Sequence, residues 1–397
     1  MRILYYDWDE FNGEDCRDAM ERLGHQVDTF RLHMEGFAVT EEVDDIIRTA
    51  SFKRCEDGKR YYDCVFSYDF FPNISEVCQE YEIPYISWVF DCPHYTLDSP
   101  AVNNDVNRIY VFDRAMYEDM RGKGIETINY SPLAVNKLRL SEVCRQLDDE
   151  TGGNIVYEHD VCFLGNLYDN EYNFYDQVNF LPDGLKGYLD GVIAAQERFF
   201  GSDLFSDKRV VTDEIMSELR KYINFEDTGT YTLNYDRILL DILRKKVTVN
   251  ERHNILRSMG AHYDTVLYTA PGARAIDNVK NLGMAHYTMK MPRVFHRSKV
   301  NLNISLRSIL SGVPLRVLDI LAAGGFLVTS YQPEIAEYFI DGEDLVIAYT
   351  PEEMVEKVGF YLENDDLRRQ IALNGQKKVF ENFAYTKLLP GILSGTA

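Results

Sequence analysis

With 397 residues the chain is larger than a single hydrophobic core usually grows, about 250–300 residues, so two domains are expected. Acidic side chains outnumber basic ones 64 to 42, and the net charge of −22 argues against nucleic acid or an anionic membrane surface as a general partner. A small anionic ligand would then need a local cationic patch, which makes isolated arginines in loops informative. The seven cysteines (Cys16, Cys55, Cys64, Cys78, Cys92, Cys144 and Cys162) form no CxxC pair and read as reduced thiols of a cytoplasmic protein. The opening MRILYYDWDE lacks a basic segment followed by an apolar one, and no apolar run reaches 18 residues, so neither a signal peptide nor a membrane span is expected.

In chain order, Arg2 to Tyr6 reads as a strand, Glu14 to Leu23 as a helix closed by Gly24, and Val27 to Phe30 as a second strand. The alternation continues through a helix at Glu41 to Ala50, a strand at Tyr62 to Ser67 and a helix opened by Pro72. Strands follow at Tyr85 to Phe90 and Asn107 to Phe112, then a helix capped by Asp113, and a strand at Ile125 to Tyr130. This is an alternating β/α domain over residues 1–140. Residues 141–158, charged and with a Thr151-Gly152-Gly153 break, read as a linker. A second β/α domain spans 159–377, beginning with a strand at Asp160 to Leu164 and interrupted by a helical insertion at about 172–258. Tyr263 to Tyr268 resumes the strand pattern, with a further short strand expected at Gly283 to Tyr287. Residues 378–397 are expected to form a C-terminal helix returning to the first domain.

The most informative stretch is Lys299 to Ser330. Val300, Leu302 and Ile304 alternate with polar residues as in a strand, and Ser311-Gly312-Val313-Pro314 opens a helix with Pro314 suited to its first position. Leu315, Leu318, Leu321 and Ala322 form its buried stripe. Gly324-Gly325 ends it before the continuously apolar Phe326-Leu327-Val328. Arg316 falls in the first helical turn, where the macrodipole disfavours a cation. Either Arg316 and the free amides of the helix start form an anion site, or Arg316 is one half of an i,i+3 ion pair with Asp319.

Two β/α domains with such a stretch in the second point to a ligand in an interdomain cleft. Residues Ser298 to Asn303, Arg307, Ser311 to Arg316, Asp319 to Gly325, Asp341 to Val346 and Ile371 to Gly375 resemble the glycosyltransferases of GT-B fold in the CgeB-like group (spore maturation protein-like, glycosyl transferase group 1). Ile83 to Asp91 resembles the first domain that often accompanies them. The resemblance implies an α/β protein of two Rossmann-like domains, with an acceptor site on the first and a nucleotide-sugar site on the second. It implies a retaining-type donor site in which Asp319 meets the ribose, and Arg316 and the amides after Gly312 meet the diphosphate. Asn303 and Ser311 border the donor, and Arg307 neutralises the leaving nucleotide. The wider group often carries a glutamate where this chain has Ser311. Asp7-Trp8-Asp9 has the letters of a metal-binding DxD but lies in the first domain, so no metal or other cofactor is expected.

A catalytic base would come from the loops of the first domain, with Asp91 the leading candidate and His94 next. Tyr5, Tyr6 and Trp8 are candidates for stacking on an acceptor sugar, although Tyr5 and Tyr6 equally fit a core strand. The expected partners are a nucleotide sugar, UDP-linked by default, and an acceptor glycan, protein or small molecule. A non-catalytic nucleotide-sugar or glycan binder and a sugar-nucleotide epimerase are the alternatives on the same fold.

Overall fold

The computed structural model describes residues 1–33, 36–154, 156–170, 173–178, 180–223 and 234–396. The chain divides into two compact units. One comprises Met1–Asn136 with Phe383–Ala397, and the other Lys137–Phe225 with Tyr235–Asn382.

The first unit is built on six parallel strands, β1 (Arg2–Tyr6), β2 (Gln26–Phe30), β3 (Cys64–Tyr68), β4 (Tyr85–Val89), β5 (Asn107–Val111) and β6 (Ile128–Tyr130), in the order β2-β1-β3-β4-β5-β6. Strands β3 and β4 are buried at every residue, as expected of parallel strands covered by helices on both faces. The edge strand β2 is largely uncovered, with only Val27 and Phe30 half-buried. Asp113 caps the helix Arg114–Gly122 by accepting from the amides of Ala115 and Met116. The helix Tyr385–Ser394 packs on this sheet: the Tyr68 hydroxyl donates to that of Tyr385 at 2.7 Å, and the Tyr110 hydroxyl to Ile392 O at 3.1 Å.

The second unit holds β7 (His159–Leu164), β8 (Thr265–Tyr268), β9 (Val279–Asn281), β10 (Ser298–Asn303), β11 (Leu327–Ser330) and β12 (Val346–Ala348), in the parallel order β12-β11-β10-β7-β8-β9. Between β7 and β8 lie the helices Asp183–Gln196, Asp213–Leu219 and Tyr235–His262, the last 28 residues long. Part of the stretch read as a helical insertion, residues 171–172, 179 and 224–233, lies outside the described residues.

Three expectations differ from the structure. Residues read as the start of a linker form a helix, Lys137–Asp149, whose Leu140, Val143, Cys144 and Leu147 are buried at helical spacing beneath a charged outer face. The edge strand of the second sheet is Val279–Asn281 rather than Gly283 to Tyr287. It is three residues long and mostly exposed, so little periodicity marks it. Pro314 is the N-cap of the helix Leu315–Ala322 rather than its first residue, which leaves Arg316 in the first turn.

The glycine pair behind that helix has two separate jobs. Gly324 sits at φ +72°, while Gly325 allows close approach: a Cβ there would lie 2.7 Å from Asn301 Nδ2 and 2.9 Å from Phe295 O. Asn301 Nδ2 already donates to Phe295 O and Phe326 O, so it has little room to yield. Gly325→Ala is expected to cost about 1–3 kcal/mol, the range for overpacking, read as a lower urea midpoint with unchanged slope.

Candidate functional site

In the second unit the carboxyl ends of β7 and β10 and the first turn of Leu315–Ala322 converge on two arginines, the buried Arg252 and the partly buried Arg316. Arg316 has its Nε buried with no hydrogen-bond partner. Among the described residues no ion pair joins it to Asp319, whose charge nevertheless favours the cation. Burial is the largest influence and pushes the Arg316 pKa down. A Cβ at Gly165, just past β7, would stand 3.3 Å from Arg316 Nη1, so a glycine there makes room for the guanidinium. Arg252, on the long helix Tyr235–His262, is 8% exposed. It donates from Nε and Nη2 to Ile304 O and from Nη1 to Asn166 O. Burial pushes its pKa down to about 10, with the charge of Arg316 contributing. Lys245 and Arg252 both approach the ring of Tyr168, at 5.4 and 5.3 Å. A buried cation and a partly buried one that repel each other, the latter with a buried and unused donor, make a site for an anion.

The remaining donor-side candidates divide. Asp319 is buried beside this site and accepts from the Tyr287 hydroxyl at 3.4 Å. Gly312 is buried in the loop ahead of the helix. The Ser311 hydroxyl donates to Glu334 Oε1 at 2.7 Å, and the Glu334 amide returns to Ser311 O at 3.0 Å. A buried carboxylate thus stands directly behind the position where the resembling enzymes often carry one. Asn303 is engaged within the sheet, Nδ2 donating to Ser305 Oγ and Thr329 Oγ1. Arg307 faces inward. Its guanidinium pairs with the buried Glu251 and donates to Phe199 O at 2.7 Å, which makes it scaffold rather than a contact for the leaving nucleotide.

In the first unit, Asp91 and His94 do come together, and a residue not singled out from the sequence joins them. Asp69 follows β3 at φ +55° and is 2% exposed. Its Oδ1 accepts from the amides of Phe90 and Asp91 at 3.1 and 3.2 Å and faces His94 Nδ1 at 3.9 Å. His94 Nε2 meets the Phe70 amide at 3.0 Å and Thr96 Oγ1 at 2.7 Å, which fixes the ring. Asp91 is exposed, and its carboxylate makes no hydrogen bond among the described residues. Burial raises the Asp69 pKa to about 7. Crowding by the protein, and then the charge of Asp69, raises that of Asp91 to about 6, with His94 opposing.

Nearby in the same unit, a pocket of about 350 Å³ is walled by Tyr6, Trp8, Leu32, Phe37 and Phe71. Trp8 stacks on Phe90 at 5.9 Å, and its indole N–H donates to Tyr68 O, so the loop before α-helical residue Gly13 is tied to the strand ends that carry Asp69 and Asp91. Of the aromatic residues proposed to stack on an acceptor, Tyr6 and Trp8 reach this pocket. Tyr5 is fully buried, and its hydroxyl donates to Glu10 Oε1. No simple sequence signal marks Asp69, which sits between strand and helix. Nor does one mark Arg252, which lies on a helix that carries many other charged residues.

The two all-parallel six-stranded sheets with interleaved helices define the GT-B fold of glycosyltransferases. Residues 239–393 match the family model described as glycosyl transferase-like. No curated protein matches the sequence. Among solved structures, the chain is similar to Anabaena HepE in complex with UDP and glucose, at 12% identity and a TM-score of 0.52, over 100% of this chain and 99% of that one. It is also similar to AviGT4, a glycosyltransferase involved in avilamycin A biosynthesis, at 10% identity and a TM-score of 0.51, over 100% and 97% of the two chains. No helix among the described residues is long and apolar enough to cross a membrane.

Proposed function

We propose that the protein is a glycosyltransferase that moves a sugar from a nucleoside diphosphate, UDP in the first instance, to an acceptor hydroxyl. The carrying observation is Arg316, whose Nε is buried without a partner beside the buried cation Arg252. A diphosphate supplies the missing negative charge and acceptor oxygens, and the same arginines then stabilise the leaving nucleotide without a bound metal. Asp319 is the ribose contact, Gly312 and Ser311 border the donor, and Asp91 is the base that takes the acceptor proton. The aromatic pocket beside Trp8 holds the acceptor. The CgeB-like subgroup is the reading favoured by the resemblance of residues 298–325. The seven cysteines, none of them in a disulfide among the described residues, suit a reducing, cytoplasmic setting.

Calorimetry with UDP and UDP-glucose, followed by assay of UDP release from UDP-glucose, tests the reading. Micromolar to millimolar binding is expected, and UDP release unchanged by a chelator. No binding at millimolar UDP, UDP-glucose or other nucleoside diphosphates would sink the donor site. Ser311, standing where a carboxylate is common in the resembling enzymes, supports a second reading as a non-catalytic nucleotide-sugar binder. Tight binding without turnover of any sugar nucleotide would favour it.

A further inference from the structure

We propose that Asp69 is a positioning residue of the acceptor-activating site, holding Asp91 and His94 around a shared proton so that Asp91 takes the proton of the acceptor hydroxyl. The inference rests on the transferase reading for its chemistry, but the cluster stands on its own geometry. Asp69, Asp91 and His94 each place one side-chain O or N within 4.8 Å of the others. Asp69 Oδ1 accepts the amides of Phe90 and Asp91 and so sets the backbone that carries the base. His94 is anchored from its far nitrogen by the Phe70 amide and Thr96. Asp91 is exposed and its carboxylate makes no protein hydrogen bond among the described residues, as a base awaiting a substrate hydroxyl requires.

Charge explains why a proton belongs there. Two carboxylates this close do not both ionise readily at neutral pH. The groups facing them are His94 at 3.9 Å from Asp69, the buried Glu10 carboxylate from the loop after β1, which adds negative charge to Asp69, and the neutral Tyr85 hydroxyl. His94 is the one cation-capable group among them. The pair therefore changes protonation as a unit between about pH 6 and about pH 7. In the transfer step the acceptor O–H proton passes to Asp91 as the oxygen bonds the anomeric carbon. The bond from that carbon to the phosphate oxygen breaks, and its electron pair leaves on UDP.

The test is the pH profile of UDP release from UDP-glucose by the full chain. Asp69→Asn keeps an oxygen for both amides and removes only the charge. Its acidic limb is expected to move about one pH unit lower, with the plateau within about tenfold of wild type, whereas Asp91→Asn loses roughly a hundredfold at all pH values. An unmoved limb in Asp69→Asn overturns the proposal. Infrared titration of the unliganded protein reads the same proton without turnover, so that failure of the transferase reading is told apart from failure of this one. A protonated-carboxyl band that titrates between about pH 6 and 7 is expected in wild type and lost near neutrality in Asp69→Asn. Its absence from wild type, or a divalent cation retained through dialysis by wild type and lost in Asp69→Asn, overturns it.

Discussion

Arg316→Ala is expected to weaken UDP binding by about 10- to 100-fold, the equivalent of about 1.5–3 kcal/mol for lost hydrogen bonds to a charged group. The same substitution is expected to leave the melting temperature unchanged or raise it. The reason is that taking this charge out of water is unfavourable. In the free protein Arg316 is desolvated, its Nε has no partner, and Arg252 repels it. A side chain in that position costs stability and is retained for what it binds. Calorimetry and thermal melts on one preparation decide the matter. Wild-type affinity in Arg316→Ala removes the anion site, and a large loss of stability would mean that the arginine is structural after all. Salt should weaken binding only modestly, because a buried charge pair is screened little.

Arg307→Ala carries the opposite expectation: a loss of about 3–5 kcal/mol in folding stability, with UDP affinity of the folded variant within a few-fold of wild type. Arg307 and Glu251 form a buried pair, and removing one partner strands the other. Burial holds the Glu251 pKa up, to about 7, against the pull of Arg307. A carboxylate with a raised folded pKa binds more protons folded than unfolded, so its contribution to stability falls as pH rises from its unfolded value toward the folded one. Without Arg307 that folded pKa rises further. The destabilisation of Arg307→Ala should therefore be smaller at pH 5 than at pH 8, and a second substitution, Glu251→Gln, should recover part of it. Equal losses at both pH values, or a loss of UDP binding with normal stability, would return Arg307 to the ligand.

The contrast between these two arginines shows where sequence reading reaches and where it stops. Residues 298–330 state their own local structure: alternating apolar residues give β10, Pro314 starts a helix, and the glycine pair stops it. The strands of both sheets are legible for the same reason, since parallel strands covered on both faces read as short apolar runs bounded by turns. Legibility fails where the signal is thin or mixed. The helix Lys137–Asp149 hides a regular apolar face among charges, and Val279–Asn281 is too short and exposed to show a period. Asp69 was invisible because its role comes from β4, its neighbour in the sheet, and not from its own surroundings in the chain.

The sequence by itself determined the alternation of strands and helices, the two-domain scale, the acidic surface and the presence of a cation in the first turn of one helix. All of these follow from residue type and spacing over a few turns. Only the tertiary structure decided which arginine is bound inward and which is left for a ligand. Arg307 meets Glu251 and Arg316 meets Arg252 across separations that no local pattern encodes. The cost of burying a charge depends on what stands beside it in space. Sequence placed Arg316 where an anion could bind; folding left its Nε without a partner there.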